Sequence, residues 1–220
     1  DTMAQQAASL ATSAFGQTFK ITPIQMITAF SAVANGGRLM TPYVVSQVLD
    51  GDGNVLSTTQ PTVKRQIISA DTSKRISKIL ADAVNGGGSK NAYVAGYRVA
   101  GKTGTSEKRD MAGNEVVASF GGFAPADDPQ VAVLVLLDQP HCANRFGGTI
   151  AAPVAQKILD AILPYLNVEP AYTTEELSNL SRTTPGTVGQ TVVAAQTKIR
   201  NVNLKSTVIG NGETVVRQAP

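Results

Sequence analysis

Three strand-like stretches follow one another at residues 97–105, 115–123 and 131–137, and the turns between them leave little freedom in how they pair. One turn is rich in Lys, Asp and Gly and the other runs through Pro125, Asp127, Asp128 and Pro129. Both are too short for the crossover helix that parallel pairing needs, so an antiparallel meander is predicted. The third stretch, Val131-Ala132-Val133-Leu134-Val135-Leu136-Leu137, is apolar at every position. A strand buried on both faces reads this way, which predicts that it is central and covered on both sides. One cover is expected from a helix with Pro153 in its first turn and Val154, Ile158, Ile162 and Leu166 facing one way.

Two more helices are predicted upstream. Thr22-Pro23-Ile24-Gln25 has the form of a capping box, Ile24, Ile27, Phe30 and Val33 follow at helical spacing, and Asn35-Gly36-Gly37 stops the helix. From Ser69, with Asp71 in the first turn, a second helix carries Ile76, Ile79, Leu80, Ala83 and Val84 to a stop at Gly86-Gly87-Gly88. Between them, residues 43–49 and 54–58 read as a surface hairpin around Asp50-Gly51-Asp52-Gly53. After Leu166 the composition turns to Asn, Glu, Pro, Thr and Ser, as in an exposed linker over 167–183. A second unit, 184–220, is predicted to hold a short helix over 187–199 and strands at 203–209 and 213–218 around Gly210-Asn211-Gly212.

Composition removes whole classes of function. With 42% hydrophobic and 16% charged residues, the chain is neither a disordered polyampholyte nor a coiled coil. A net charge of +3, spread along 220 residues, supplies no nucleic-acid arm, and the absence of Trp argues against a stacking platform. The longest aliphatic run is far short of the roughly 20 residues that cross a bilayer. No anchor is expected within these residues, and the lone Cys142 excludes an internal disulfide.

Chemistry concentrates at Gly101-Lys102-Thr103-Gly104-Thr105, where a cation and hydroxyls sit between glycines in a predicted strand. Glycine weakens a strand and is tolerated where another backbone or a ligand approaches closely. Alternation puts Lys102 and Gly104 on one face and Thr103 and Thr105 on the other. An edge strand offering an ammonium, a hydroxyl and N–H groups to an anionic, peptide-like ligand is one reading; a solvent-facing strand and turn is the other. Elsewhere, His141 and Cys142 are sequence neighbours that lack the ligand count of a metal site. Asp127-Asp128 reads as a solvated turn, and Gly86-Gly87-Gly88 lacks the Lys and Ser/Thr of a phosphate loop.

Lys-Thr-Gly is one of three motifs shared by penicillin-binding proteins and serine β-lactamases, with Ser-x-x-Lys and Ser-x-Asn. Around it stand Ala14-Phe15-Gly16-Gln17, Thr22-Pro23-Ile24-Gln25-Met26, Ala34-Asn35-Gly36-Gly37, Ser119-Phe120-Gly121-Gly122-Phe123-Ala124-Pro125 and Ala151-Ala152-Pro153-Val154. On these stretches, in this order, residues 1–166 resemble the carboxyl-terminal part of the transpeptidase domain of a class B penicillin-binding protein. Thr18 stands where many relatives have Gly. The tail, with Pro185-Gly186-Thr187-Val188-Gly189-Gln190, Ala194-Ala195 and Gly212-Glu213-Thr214-Val215-Val216-Arg217-Gln218-Ala219-Pro220, resembles the first two thirds of a PASTA module of Gram-positive proteins.

The resemblance implies an α+β fold, an antiparallel sheet covered by helices, followed by a small β/α unit. It implies a membrane-anchored enzyme of the extracytoplasmic face, serving cell division or cell shape, that cross-links peptidoglycan stem peptides through an acyl-serine and is a β-lactam target. Lys102 and Thr105 take catalytic roles in that reading; Lys102, Thr103, Gly104 and Thr105 bind substrate; neither metal nor cofactor is implied. Departures are as definite. No Lys has a Ser three residues before it, and Ser89-Lys90-Asn91 fits Ser-x-Asn but lies downstream of where the family carries it and reads as a loop. The nucleophile, the anchor and two further strands are expected from an upstream half, without which this chain is inactive and apolar surface near Val154 and Ile158 is left uncovered. A non-catalytic segment that binds or senses muropeptide or β-lactam is the alternative.

Overall fold

A computed structural model describes residues 2–13, 16, 20–108, 115–180, 184–202 and 204–218. Ala14, Phe15, Gln17 and Thr18 of the first family match, the tip of the turn at 109–114, Asn203 and the end Ala219-Pro220 lie outside the described residues. The chain divides into two compact units, Asp1–Pro170 and Ala171–Pro220.

The first unit opens with helix α1 (Thr2–Ser13), for which no local pattern was read, and α2 (Pro23–Ala34). The capping box that starts α2 is formed: Gln25 N donates to Thr22 Oγ1 at 3.3 Å and Thr22 N to Gln25 Oε1 at 2.8 Å. Its stop is equally local. Gly36 and Gly37 take φ of 84° and 93°, and Gly37 N reaches back to Ala32 O at 2.8 Å. Strand β1 (Arg38–Met40) then pairs with β4 (Val63–Gln66), and between them β2 (Gln47–Leu49) pairs with β3 (Val55–Thr58) as the surface hairpin. Asp50 shapes its turn. The carboxylate accepts from Asn54 Nδ2 at 3.0 Å and from the N–H groups of Asn54 and Asp52, which hold it below the usual carboxylate range.

Helix α3 (Ala70–Asn85) starts on a Ser69 cap that accepts from Thr72 N at 3.1 Å. Its buried stripe is Ser73, Ser77, Ala81 and Val84, and Ile79 of the expected apolar face is 66% exposed. Close packing rotates the helix this way: small residues let it approach α2, and Ser73 Oγ donates to Val33 O at 2.5 Å.

A meander of β5 (Ala100–Glu107), β6 (Val116–Ala124) and β7 (Val131–Asp138) forms the main sheet, in the order β5-β6-β7. The antiparallel expectation holds; among the described residues β6 pairs on both sides, and the all-apolar strand β7 has β6 as its one strand partner. An apolar run reports burial of two faces, not place in the ladder. Both faces are in fact covered. On one, Phe120, Val133 and Val135 pack with Leu159 and Leu163 of α5 (Ala152–Tyr165); on the other, Phe123, Ala100 and Ala132 pack with Phe30 and Val33 of α2 and Leu80 and Ala81 of α3. Glycines make room for the aromatic rings: a Cβ on Gly121 would strike the Phe30 ring, and one on Gly101 the Phe120 ring.

Helix α5 turns a different stripe to the sheet from the one expected. Ala152, Ala155, Leu159 and Leu163 are buried, Ile162 packs against them, and Val154 and Ile158 are 39% and 40% exposed. Both stripes are apolar; the one with Ala152, Ala155, Leu159 and Leu163 joins Ala92, Val94, Phe120, Val133 and Val135 in one core, and the short helix before α5 is α4 (Gly147–Ile150).

In the second unit, α6 (Thr174–Leu180) lies within the segment read as a linker and starts on a reciprocal pair, Glu176 N to Thr173 Oγ1 and Thr173 N to Glu176 Oε2. Helix α7 (Val192–Asn201) is capped by Thr191, which accepts from Ala194 N at 3.3 Å. The two expected strands do not form among the described residues. Instead, the chain after Gly212 folds back along the approach to α7: Gly189 N donates to Val215 O, Val215 N to Gln190 O and Val192 N to Glu213 O. Buried Thr187 ties this together, its N and Oγ1 both donating to Gln218 Oε1 at 2.8 and 2.7 Å.

The rotation of α5 is tested by two truncations in this chain. Leu159→Ala, at a fully buried site, is expected to lower unfolding stability in urea by about 2–5 kcal/mol. Ile158→Ala should cost no more than about 1 kcal/mol; equal losses would contradict the assigned face.

Candidate functional site

Lys102, Thr103, Gly104 and Thr105 all lie on β5, whose outer side has no strand partner among the described residues. The register with β6 sets their faces. Lys102 stands opposite Gly121 and Gly104 opposite Ser119, while Thr103 stands opposite Phe120 and Thr105 opposite Ala118. Directly opposed residues share a face, so Lys102 and Gly104 lie on the α2/α3 side and the two threonines on the α5 side. Lys102 is exposed, and its Nζ turns back to the strand, donating to Thr103 O at 2.9 Å.

Gly104 faces the Ser119 side chain across the ladder. A Cβ there would come within 2.6 Å of Ser119 Oγ. The strand is further held from behind by Gly147 at the start of α4. Its N–H donates to Thr105 Oγ1 at 3.0 Å, and a Cβ on it would collide with the carbonyl oxygens of Gly104 and Ser119. Gly148 follows, where a Cβ would lie 3.0 Å from Gly88 O and 3.6 Å from Thr103 Cγ2. Asn91 completes the brace: its Nδ2 donates to Gly148 O at 2.7 Å. Ser89, Lys90 and Asn91, read from the sequence as a loop, instead enter a single 3-10 turn over Lys90–Ala92, and Asn91 supports the strand through α4. The Gly147 and Asn91 contacts were not anticipated. They join positions 42 and 57 residues apart, and only the paired glycines of Phe146-Gly147-Gly148-Thr149 hint at close approach.

The other candidates do not converge on this strand. Asp127 accepts two hydrogen bonds from Arg98 Nη1, at 2.8 and 2.9 Å, and Asp128 is exposed. Cys142 is exposed and points its Sγ at Asn144 O, 3.1 Å away. Among the described residues no cluster of His, Cys, Asp and Glu could hold a metal ion, and no helix is long and apolar enough to cross a membrane. What the site presents is a strand edge with backbone groups, an ammonium and hydroxyls.

Known proteins are similar to this chain. The family model for the penicillin binding protein transpeptidase domain matches residues 3–160. Stage V sporulation protein D of Bacillus subtilis (strain 168) is 40% identical over a 220-residue alignment, covering 96% of this chain and 34% of that protein. The peptidoglycan D,D-transpeptidase FtsI of Escherichia coli (strain K12) is 30% identical over 165 residues, 73% of this chain and 26% of that one. The chain therefore spans about a third of the first and a quarter of the second. Among solved structures, the ceftriaxone acyl-enzyme complex of penicillin-binding protein A from M. tuberculosis superposes with a TM-score of 0.61 at 30% identity, over 65% of this chain and 32% of that one.

The brace behind β5 gives a sharp contrast. Gly147→Ala should destabilise the chain by about 1–3 kcal/mol, because backbone atoms cannot yield to the added methyl. Gly51→Ala, where nothing lies within 4 Å, should fall within about 0.5 kcal/mol of the parent in the same urea titration. Similar values for the two would remove the close contact.

Proposed function

The chain belongs to the penicillin binding protein transpeptidase domain family, and from that premise we propose that it is the carboxyl-terminal part of a peptidoglycan D,D-transpeptidase. The observation that carries the reading is the open edge of β5, with Lys102-Thr103-Gly104-Thr105 braced from behind by Gly147. In the complete protein a serine hydroxyl attacks the carbonyl between two terminal D-alanines of a stem peptide. Its proton passes to a neighbouring base, the carbonyl oxygen becomes an oxyanion, and the last D-alanine leaves as its amine. An amine of a neighbouring stem then attacks the acyl-serine, forms the cross-link and releases the serine. β-Lactams imitate the donor and stop at the acyl stage; the acyl-enzyme captured in the structural relative supports this.

Each residue of the strand takes a part. Thr103 donates its hydroxyl proton to the terminal carboxylate. Lys102 keeps positive potential beside that carboxylate and supports proton transfer among the upstream groups. The N–H of Thr105 donates to the oxyanion, together with the N–H of the serine. Gly104 keeps side-chain bulk from between them, so the substrate backbone lies against the strand. The serine and its base belong to the rest of the parent protein, since none of the ten Lys–Ser spacings in this sequence makes Ser-x-x-Lys. We assign residues 1–166 to the transpeptidase domain, 167–183 to a linker and 184–220 to a PASTA-like module. The parent acts on peptidoglycan from the outer face of the cytoplasmic membrane, held by an anchor upstream.

In the complete protein, Thr103→Val is expected to slow acylation by a fluorescent penicillin roughly tenfold to a hundredfold, matching about 1.5–3 kcal/mol for a hydrogen bond to a charged group. Lys102→Ala should be slower still, and unchanged rates in both would remove the assigned roles. The 220-residue chain by itself should acquire no stable penicillin adduct, because no Ser-x-x-Lys, the spacing that sets a base beside the nucleophile, lies in it.

A further inference from the structure

Between α2 and α3 the chain runs out and back as one long hairpin arm, with β1 and β4 paired at its root and β2 and β3 paired beyond them. The root is tied to the end of α2, where Ile67 N donates to Gly37 O and Gln66 Nε2 to Gly36 O, both at 2.8 Å. From there outward the arm is open to solvent. Residues 41–67 are all exposed except Asp50, and they include Val44, Val45, Val48, Leu49, Val55 and Leu56, with Val44 97% and Leu56 66% exposed. The register puts apolar side chains on both faces, since Leu49 stands opposite Val55 while Val48, on the other face, stands opposite Ser57. A two-stranded hairpin is marginally stable in water by itself, and one that is apolar on both faces gains from a surface that covers it.

Two features identify that surface. Exposed strand edges are ordinarily blunted with Pro or charged side chains. Here residues 43–49 and 54–60 contain neither Pro nor a charged residue, and β3 has β2 as its one strand partner among the described residues. The outer edge of β3 can therefore accept another strand. Charge is also sorted along the arm: between Thr41 and Val63 the only charged residues are Asp50 and Asp52 at the tip, whereas Arg38, Lys64 and Arg65 lie at the root. Asp50 is engaged by its own turn, and Asp52 is exposed. An arm that is negative at one end, positive at the other and apolar between is complementary to itself under a two-fold axis, because antiparallel pairing sets each end against the opposite charge.

We propose that β3 pairs with β3 of a second copy of this chain, antiparallel about a two-fold axis near Thr58, so that the arms join two transpeptidase domains. Asp52 and Lys64 each lie six residues from Thr58, about 20 Å along a strand, so Asp52 meets Lys64 of the partner subunit. The two hairpins become one four-stranded ribbon, in which the edge of each β3 is paired and Leu56 lies in the joint. The pairing is independent of the roles assigned to β5.

Sedimentation equilibrium of the complete protein in neutral detergent tests this. The protein should form dimers, and Leu56→Glu should raise the dissociation constant at least about tenfold without changing the rate of penicillin acylation. Asp52→Lys and Lys64→Asp should each weaken the dimer about threefold or more, and the two combined in one chain should restore it. Thr58→Cys, at the axis, should give an oxidised dimer that the unmutated protein does not. A complete protein that stays monomeric up to about 100 μM, or a dimer that neither Leu56→Glu nor Asp52→Lys weakens, overturns the proposal. For a monomer, maleimide labelling of Leu56→Cys distinguishes an arm covered by the rest of its own chain, where the thiol is shielded, from a bare one, and either result counts against the second copy.

Discussion

Strand β6 is the member on which the first unit depends, because it is buried on both faces and its side chains alternate between two separate cores. Phe120 points into the cluster built with α5, and Phe123, three residues on, into the cluster built with α2 and α3. Both rings are fully buried. Burying a large aromatic side chain on each face contributes the largest apolar terms available to a sheet of three strands. The helices are thereby placed on either side of the same nine residues, and β5 and β7 acquire their covers as neighbours of β6.

That arrangement explains why glycine is so frequent around the candidate site. Phe30 lies over Gly121 on one face, and Phe120 lies over Gly101 on the other. A third close approach, Gly147 against the carbonyls of Gly104 and Ser119, holds α4 on the back of the site strand. Each contact replaces a Cβ with a ring or a backbone, so the strand is immobilised without adding side chains to its open edge. A rigid edge suits peptide recognition, since backbone groups that are already aligned lose little further freedom on binding.

The brace also separates two kinds of work along β5. Thr105 accepts from Gly147 N through its hydroxyl, so that side chain ties the strand to α4. Lys102 and Gly104 share the opposite face, where the ammonium folds back on Thr103 O. Alternation along a single strand thus sorts support to the α5 side and charge to the α2/α3 side.

Much of this was legible in the sequence where the deciding interactions are local. The Thr22–Gln25 capping box, the Ser69 cap, the Asn35-Gly36-Gly37 stop and the short turns of the meander act within a few residues, so their residue types suffice to predict them. The Lys-Thr-Gly-Thr strand and its alternation were legible for the same reason. The sequence did not determine which of two apolar stripes of α5 meets the sheet, why Ser73 and Ser77 are buried on α3, or that β6 is the strand with two partners among the described residues. Those outcomes depend on which surfaces approach most closely, and the approach is set by small residues and by pairs distant in the chain: Ser73 with Val33, Asn91 with Gly148, Thr105 with Gly147. Local periodicity cannot distinguish two stripes of equal hydrophobicity; only the packing of one element against another decides between them.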